Sequence, residues 1–179
     1  MGLITPPYQP SLLRLLHGVM AMLVPLAWLS GLLVYSLHDG RWGRLAWSPG
    51  GDWIDIHGMV GVFLWPPALL FVLYALSLGR WRLNRPANAA ALLGLALAVG
   101  SGKLMDENWL RSGQLDHVVY SLHLTAWLVV AVVLIWHVAA VLARGGTALA
   151  ASMFQVQLRV NDTPRHWPAQ LARWFRRTA

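Results

Sequence analysis

The sequence predicts an all-α integral membrane protein, a four-helix bundle with a short interfacial helix at its carboxyl end. Three observations predict it. Hydrophobic residues make up 57% of the 179 positions and charged residues 12%, about half the charged share of a soluble domain. The apolar residues gather into four runs, about 12–37, 54–78, 86–102 and 117–143, each close to the ~20 residues that cross a hydrocarbon core. Turn-forming and charged segments separate the runs. The runs fill most of the chain, which reads as a single membrane domain over 1–179 with no room for a separate soluble catalytic domain.

Taken in order, Met1–Ser11 is proline-rich and suits an interfacial lead-in. The first run is a full span without a small-residue cleavage site, so it reads as a membrane helix and not as a cleaved leader. It carries Arg14 and, three residues later on the same face, His17. Pro25 in the first span and Pro66-Pro67 in the second are tolerable in lipid when neighbouring helices satisfy the backbone. Trp42, Trp47 and Trp53 between these spans read as an interfacial aromatic belt. The second span opens with Asp55 and His57. The third, rich in Ala, Gly and Leu, has no histidine and reads as a packing helix that permits close approach. The fourth holds no Asp, Glu, Lys or Arg between Asp116 and Arg144, and Arg144-Gly145-Gly146 should stop it. In the tail, about 152–179, Leu171, Trp174 and Phe175 alternate with Arg173, Arg176 and Arg177, the pattern of a helix lying in the headgroup region.

The net charge of +7 is distributed for membrane orientation and not for binding nucleic acid. Apart from Arg41, Arg44, Lys103 and Arg111, every basic residue falls on the side of the amino terminus, the second loop and the carboxyl tail, where Asp162 is the lone acid. The positive-inside rule then places both termini in the cytoplasm. Cysteine is absent, which excludes thiolate-ligated iron–sulfur clusters, covalently attached c-type haem and disulfides.

The chemistry rests on histidines inside the spans. His123 and His137 are 14 residues apart in one helix, roughly 21 Å along the axis and within about 40° of the same face. Antiparallel threading puts His17 and His137 near the inner surface and His57 and His123 near the outer one. Ionisable residues inside membranes are rare and functional by default. Two such pairs, one per leaflet, match the axial demand of two six-coordinate haems that carry electrons and do not bind oxygen. Small residues one turn from each ligand, Ala21, Gly61, Ala126 and Ala140, leave room for a flat macrocycle. Arg14 is placed for the propionates of the inner haem, and Lys103 or Arg41 for those of the outer. His117 reads as an interfacial bystander.

These residues carry a resemblance. Arg14-Leu15-Leu16-His17, His57, and the His123-to-His137 spacing ending in His137-Val138-Ala139-Ala140 resemble the prokaryotic cytochrome b561 family, related to the membrane b subunits of nickel–iron hydrogenases. The resemblance covers roughly residues 8–155. It implies two non-covalent b haems with bis-His ligation in a multi-pass protein of the bacterial cytoplasmic (inner) membrane. It also implies electron exchange with membrane quinone, and members of the family have been linked to superoxide oxidation at the outer face. Three functions remain open: a dihaem cytochrome working alone as a quinone-linked oxidoreductase, the same core as a membrane subunit passing electrons from a peripheral hydrogenase or dehydrogenase, and a histidine-based metal or proton transporter. Two pairs ~21 Å apart, with no intramembrane carboxylate or thiolate between them, make a poor conduction path.

Overall fold

The computed structural model describes residues 7–47 and 49–178, with backbone alone for 173–178. Every regular element among the described residues is helical. Four long helices, α1 (Ser11–His38), α2 (Trp53–Leu76), α3 (Pro86–Lys103) and α5 (Val118–Ala151), are joined by short connections that include the one-turn α4 (Glu107–Arg111); α6 (Trp167–Thr178) closes the chain. Three stretches are long and apolar enough to cross a membrane: Ser11–His38, Trp53–Leu76 and Val118–Phe154. The third predicted span forms as a helix of 18 residues, about 27 Å long. It is not one of the three. Asn88 near its start and Lys103 at its end dilute its apolar character.

Local chemistry sets the boundaries. Asp52 caps α2 by accepting from the Asp55 N–H at 3.2 Å, and Asp106 caps α4 through Asn108. Pro86 starts α3, where its missing N–H costs nothing. The stop predicted at Arg144-Gly145-Gly146 takes the form of a kink. Gly146 has a φ of 59°, which only glycine adopts freely, and a last helical stretch resumes from there to Ala151.

α1 packs along α2 and α3 along α5; α2 meets α3 more lightly, and α1 and α5 barely touch. Gly94 lets α3 approach α5 closely, since a Cβ there would stand 3.0 Å from a Val133 methyl. The core is layered along the helix axes. Leu13, Leu16 and Tyr74 form one layer, Met20, Leu64, Ala68 and Leu95 a middle one, and Val34, Ile54, Leu110 and Leu124 a third. Met22, Phe63, Leu93 and Ile135 point outward, each about two-thirds exposed or more. That surface suits lipid as the solvent.

The two ends of the molecule are tied differently. At the end where α1 starts, called inner below, α1 has no side-chain cap of its own. Asp162, more than 150 residues away in sequence, supplies one. Its carboxylate accepts from the Ser11 N–H at 2.7 Å, the Ser11 hydroxyl at 3.0 Å and the Tyr8 hydroxyl at 2.6 Å. Trp167 Nε1 donates to Ser11 Oγ, and Arg82 to Gln9. At the outer end, Arg111 bridges Asp52 at 2.7 Å and Asp55 at 2.5 Å. There too, Asp39, with a side chain 1% exposed, accepts from Tyr120 and pairs with Arg41. The α6 backbone forms as predicted for the tail; the apolar and basic alternation from Arg173 onward lies outside the described side chains, as Met1–Pro6 of the proline-rich lead-in lie outside the described residues.

Candidate metal centres

Three of the helices, α1, α2 and α5, bring the predicted histidines together in twos. His17 of α1 faces His137 of α5 with ring centres 6.3 Å apart, and His57 of α2 faces His123 of α5 at 6.0 Å. The first pair lies toward the inner end, the second toward the outer. A metal–imidazole bond is about 2 Å, and each nitrogen lies about 1 Å from its ring centre, so one metal between two imidazoles needs about 6 Å from centre to centre. Both pairs meet that requirement. Each pair offers two nitrogens, which suits a metal whose remaining ligands come from a macrocycle.

The outer pair stands in a partly open cavity of about 390 Å³ lined by α1, α2, α3 and α5. That volume falls in the ~300–1,000 Å³ range of cofactor pockets. Gly31, Gly58, Gly61 and Gly102 line it, with Trp28 and Trp127 on one wall. The tryptophans are stacked at 4.8 Å, and each indole N–H donates to the other's backbone carbonyl, at 3.1 and 3.0 Å. This reciprocal clasp is the main tie between α1 and α5 at mid-height. Trp127 also stacks on Tyr35, and Tyr35 on Trp42.

Each outer histidine is seated by a Ser-Gly step on the helix beside it. Ser30 Oγ lies 3.0 Å from His57 Nδ1, and Ser101 Oγ lies 3.0 Å from His123 Nδ1. The serine hydroxyls donate to carbonyls of their own helices, Ser30 to Ala27 at 3.1 Å and Ser101 to Leu97 at 2.7 Å. The contact engages Nδ1 of both rings and leaves Nε2 without a hydrogen-bond partner among the described residues; a metal on Nε2 would fix the ring proton on Nδ1, where each Oγ can accept it. The glycine of each step makes room. A Cβ on Gly31 would stand 3.2 Å from His57 Cε1, and one on Gly102 would stand 3.1 Å from His123 Cε1. The two seats are near copies of one another.

The inner pair has no such seats. His17 Nδ1 and His137 Nδ1 are buried and have no hydrogen-bond partner among the described residues. Phe71 meets the His17 ring edge-on at 6.4 Å.

The supporting residues divide. Gly61 lines the outer cavity as expected of a small neighbour, whereas Ala21 is exposed on the surface of α1. Ala126 is fully buried and Ala140 partly so, neither lining the cavity. Lys103 lines the cavity, its Nζ 5.1 Å from the centre of the Trp65 ring. Arg14 is otherwise engaged: its guanidinium donates to the carbonyls of Gln155 and Gln157 and to Tyr8, strapping the tail to α1. Arg41 is held by Asp39 and the Leu115 carbonyl. Burial alone would raise the Asp39 carboxyl, but donation from Arg41 and Tyr120 outweighs it and holds the group below the usual carboxylate range. His117 caps α5 through Val119 N–H and stacks on Trp109 at 3.6 Å. Sequence reasoning passed over Ser30-Gly31 and Ser101-Gly102; the repeated Ser-Gly word inside two apolar helices was the available signal. Compared with family models, characterised proteins and solved structures, the chain gives no match.

Proposed function

We propose that this chain is a transmembrane electron carrier built as a four-span bundle around two non-covalent b haems. His17 and His137 hold the inner haem, and His57 and His123 the outer. The observation that carries this reading is the pair of imidazole couples from different helices, at opposite ends of the molecule, with ring centres 6.3 and 6.0 Å apart. The outer cavity, the glycines that line it and the Nδ1–serine bonds that leave Nε2 free support it. When bound, such a haem takes up and releases single electrons at its iron.

The chain's own residues supply the rest. Trp28 and Trp127 give the outer cavity an apolar aromatic wall. Lys103, on the cavity lining, is the cation suited to haem propionates there. Arg14 fastens the tail at the inner end through its two terminal nitrogens, which donate to Gln155, Gln157 and Tyr8, while its Nε has no partner among the described residues. The resemblance to the cytochrome b561 family makes membrane quinone the partner we assign, in a bacterial inner membrane with both termini cytoplasmic; superoxide or another donor at the outer face is the matching source of electrons. The purified chain should carry two haems, with a b-type reduced-minus-oxidised spectrum. His137→Ala should leave one. A colourless protein from cells grown with ample iron and haem precursor would refute the proposal.

A further inference from the structure

We infer that Ser30 and Ser101 are positioning residues that make the outer site the lower-potential one of the two, so that electrons run from the outer end toward the inner. The inference rests on the dihaem reading above and adds a direction to it.

The argument starts from the hydroxyl proton. Each serine gives it to a helix carbonyl, Ser30 to Ala27 and Ser101 to Leu97, so its oxygen is polarised as an acceptor. With iron on Nε2 the neutral ring must carry its proton on Nδ1, and Nδ1–H then has that oxygen at 3.0 Å as acceptor in both seats. Donation from Nδ1 moves electron density toward Nε2 and makes the imidazole a stronger base toward a metal. A stronger donor favours the ferric over the ferrous iron and lowers the potential. Both ligands of the outer site are strengthened in this way.

Both serines are buried, at 5% and 3% exposure, so no solvent competes for these bonds. Gly31 and Gly102 leave the rings room in these seats, since a Cβ at either would stand 3.2 or 3.1 Å from a ring carbon and press the ring aside. His17 and His137 have no partner at Nδ1 among the described residues and remain weaker donors. The step biased is the passage of one electron between the two sites. No bond is made or broken in it, and each Nδ1 proton stays on its imidazole.

The test is a spectroscopic redox titration of the full chain with both haems bound. The outer component is identified as the one that persists in His137→Ala. In the unaltered protein it should be the lower of the two. Ser30→Ala and Ser101→Ala should each cut the ferric-to-ferrous ratio of that component at fixed ambient potential by about tenfold, which is ~59 mV for one electron. The inner component should stay put. Ser30→Thr and Ser101→Thr, which keep the hydroxyl, should return the potential toward its original value. With two haems still bound, an outer component that does not move, or a shift shared equally by both, would overturn the inference and leave the dihaem reading standing. Threonine variants that behave like the alanine variants would assign the serines a packing role only and overturn it too. Absence of haem from the unaltered chain would refute the dihaem reading itself.

Discussion

At the scale of the residue, the outer site depends on what is missing from two side chains as much as on what is present in two others. His57 and His123 reach their positions because Gly31 and Gly102 present no Cβ to the ring edge. A Cβ on Gly31 would press on the serine-tethered His57 ring at 3.2 Å with Trp127, clasped to Trp28, in contact at 3.5 Å, so a larger side chain has no free space there. Gly31→Val should therefore cost about 1–3 kcal/mol of packing strain and lower the haem content from two per chain to one, with the inner haem retained. Gly100→Val, at a position with nothing within 4 Å of an added Cβ, should leave two. Haem extraction and quantification per chain checks both.

At the scale of the element, α1 begins on a cap borrowed from the far end of the chain. Burial would raise the Asp162 carboxyl, but donation from Tyr8, Ser11 and Gln170 outweighs it and sets the group below the usual carboxylate range. A lowered native pKa means the carboxylate stabilises the folded state above the unfolded value of ~3.9, and the contribution is lost as pH falls through the native value. Asp162→Asn should cost about 2 kcal/mol at neutral pH, read as a lower Tm in detergent and faster proteolysis between Phe154 and Pro164. The difference from the unaltered protein should close as the pH is taken below the carboxylate range. The same strap explains why Arg14, three residues from His17, is spent on tail carbonyls.

At the scale of the whole molecule, two closely packed helix pairs stand side by side, and residues of both line the outer cavity. The length of α3 makes its crossing the critical point of the topology. The absence of cysteine makes a clean test available. Asn84→Cys and Gln114→Cys introduce single thiols at exposed positions on either side of α3. In intact cells, an impermeant thiol reagent should label residue 114 and should reach residue 84 only after the membrane is opened. Labelling of both in intact cells would show that α3 does not cross.

Helical periodicity and span order were enough to foresee which histidines share a depth, because axial rise and strand direction are properties of the chain itself. His17 with His137 and His57 with His123 follow from counting residues. The same counting predicted a third span where the structure has an 18-residue helix, and it placed Ala21 one turn from His17, at a position the structure leaves exposed. Rotation about each helix axis, and the choice of which helices pack in pairs, emerge only when four surfaces are fitted together. That fitting set Ser30-Gly31 against His57 and Ser101-Gly102 against His123, and it turned Arg14 toward the tail. The sequence by itself determined an all-helical chain apolar enough to cross a membrane, with two histidine pairs at two depths. Tertiary structure alone decided which neighbours hold each ring, because a side chain's partner across a helix interface depends on angles that no residue spacing encodes.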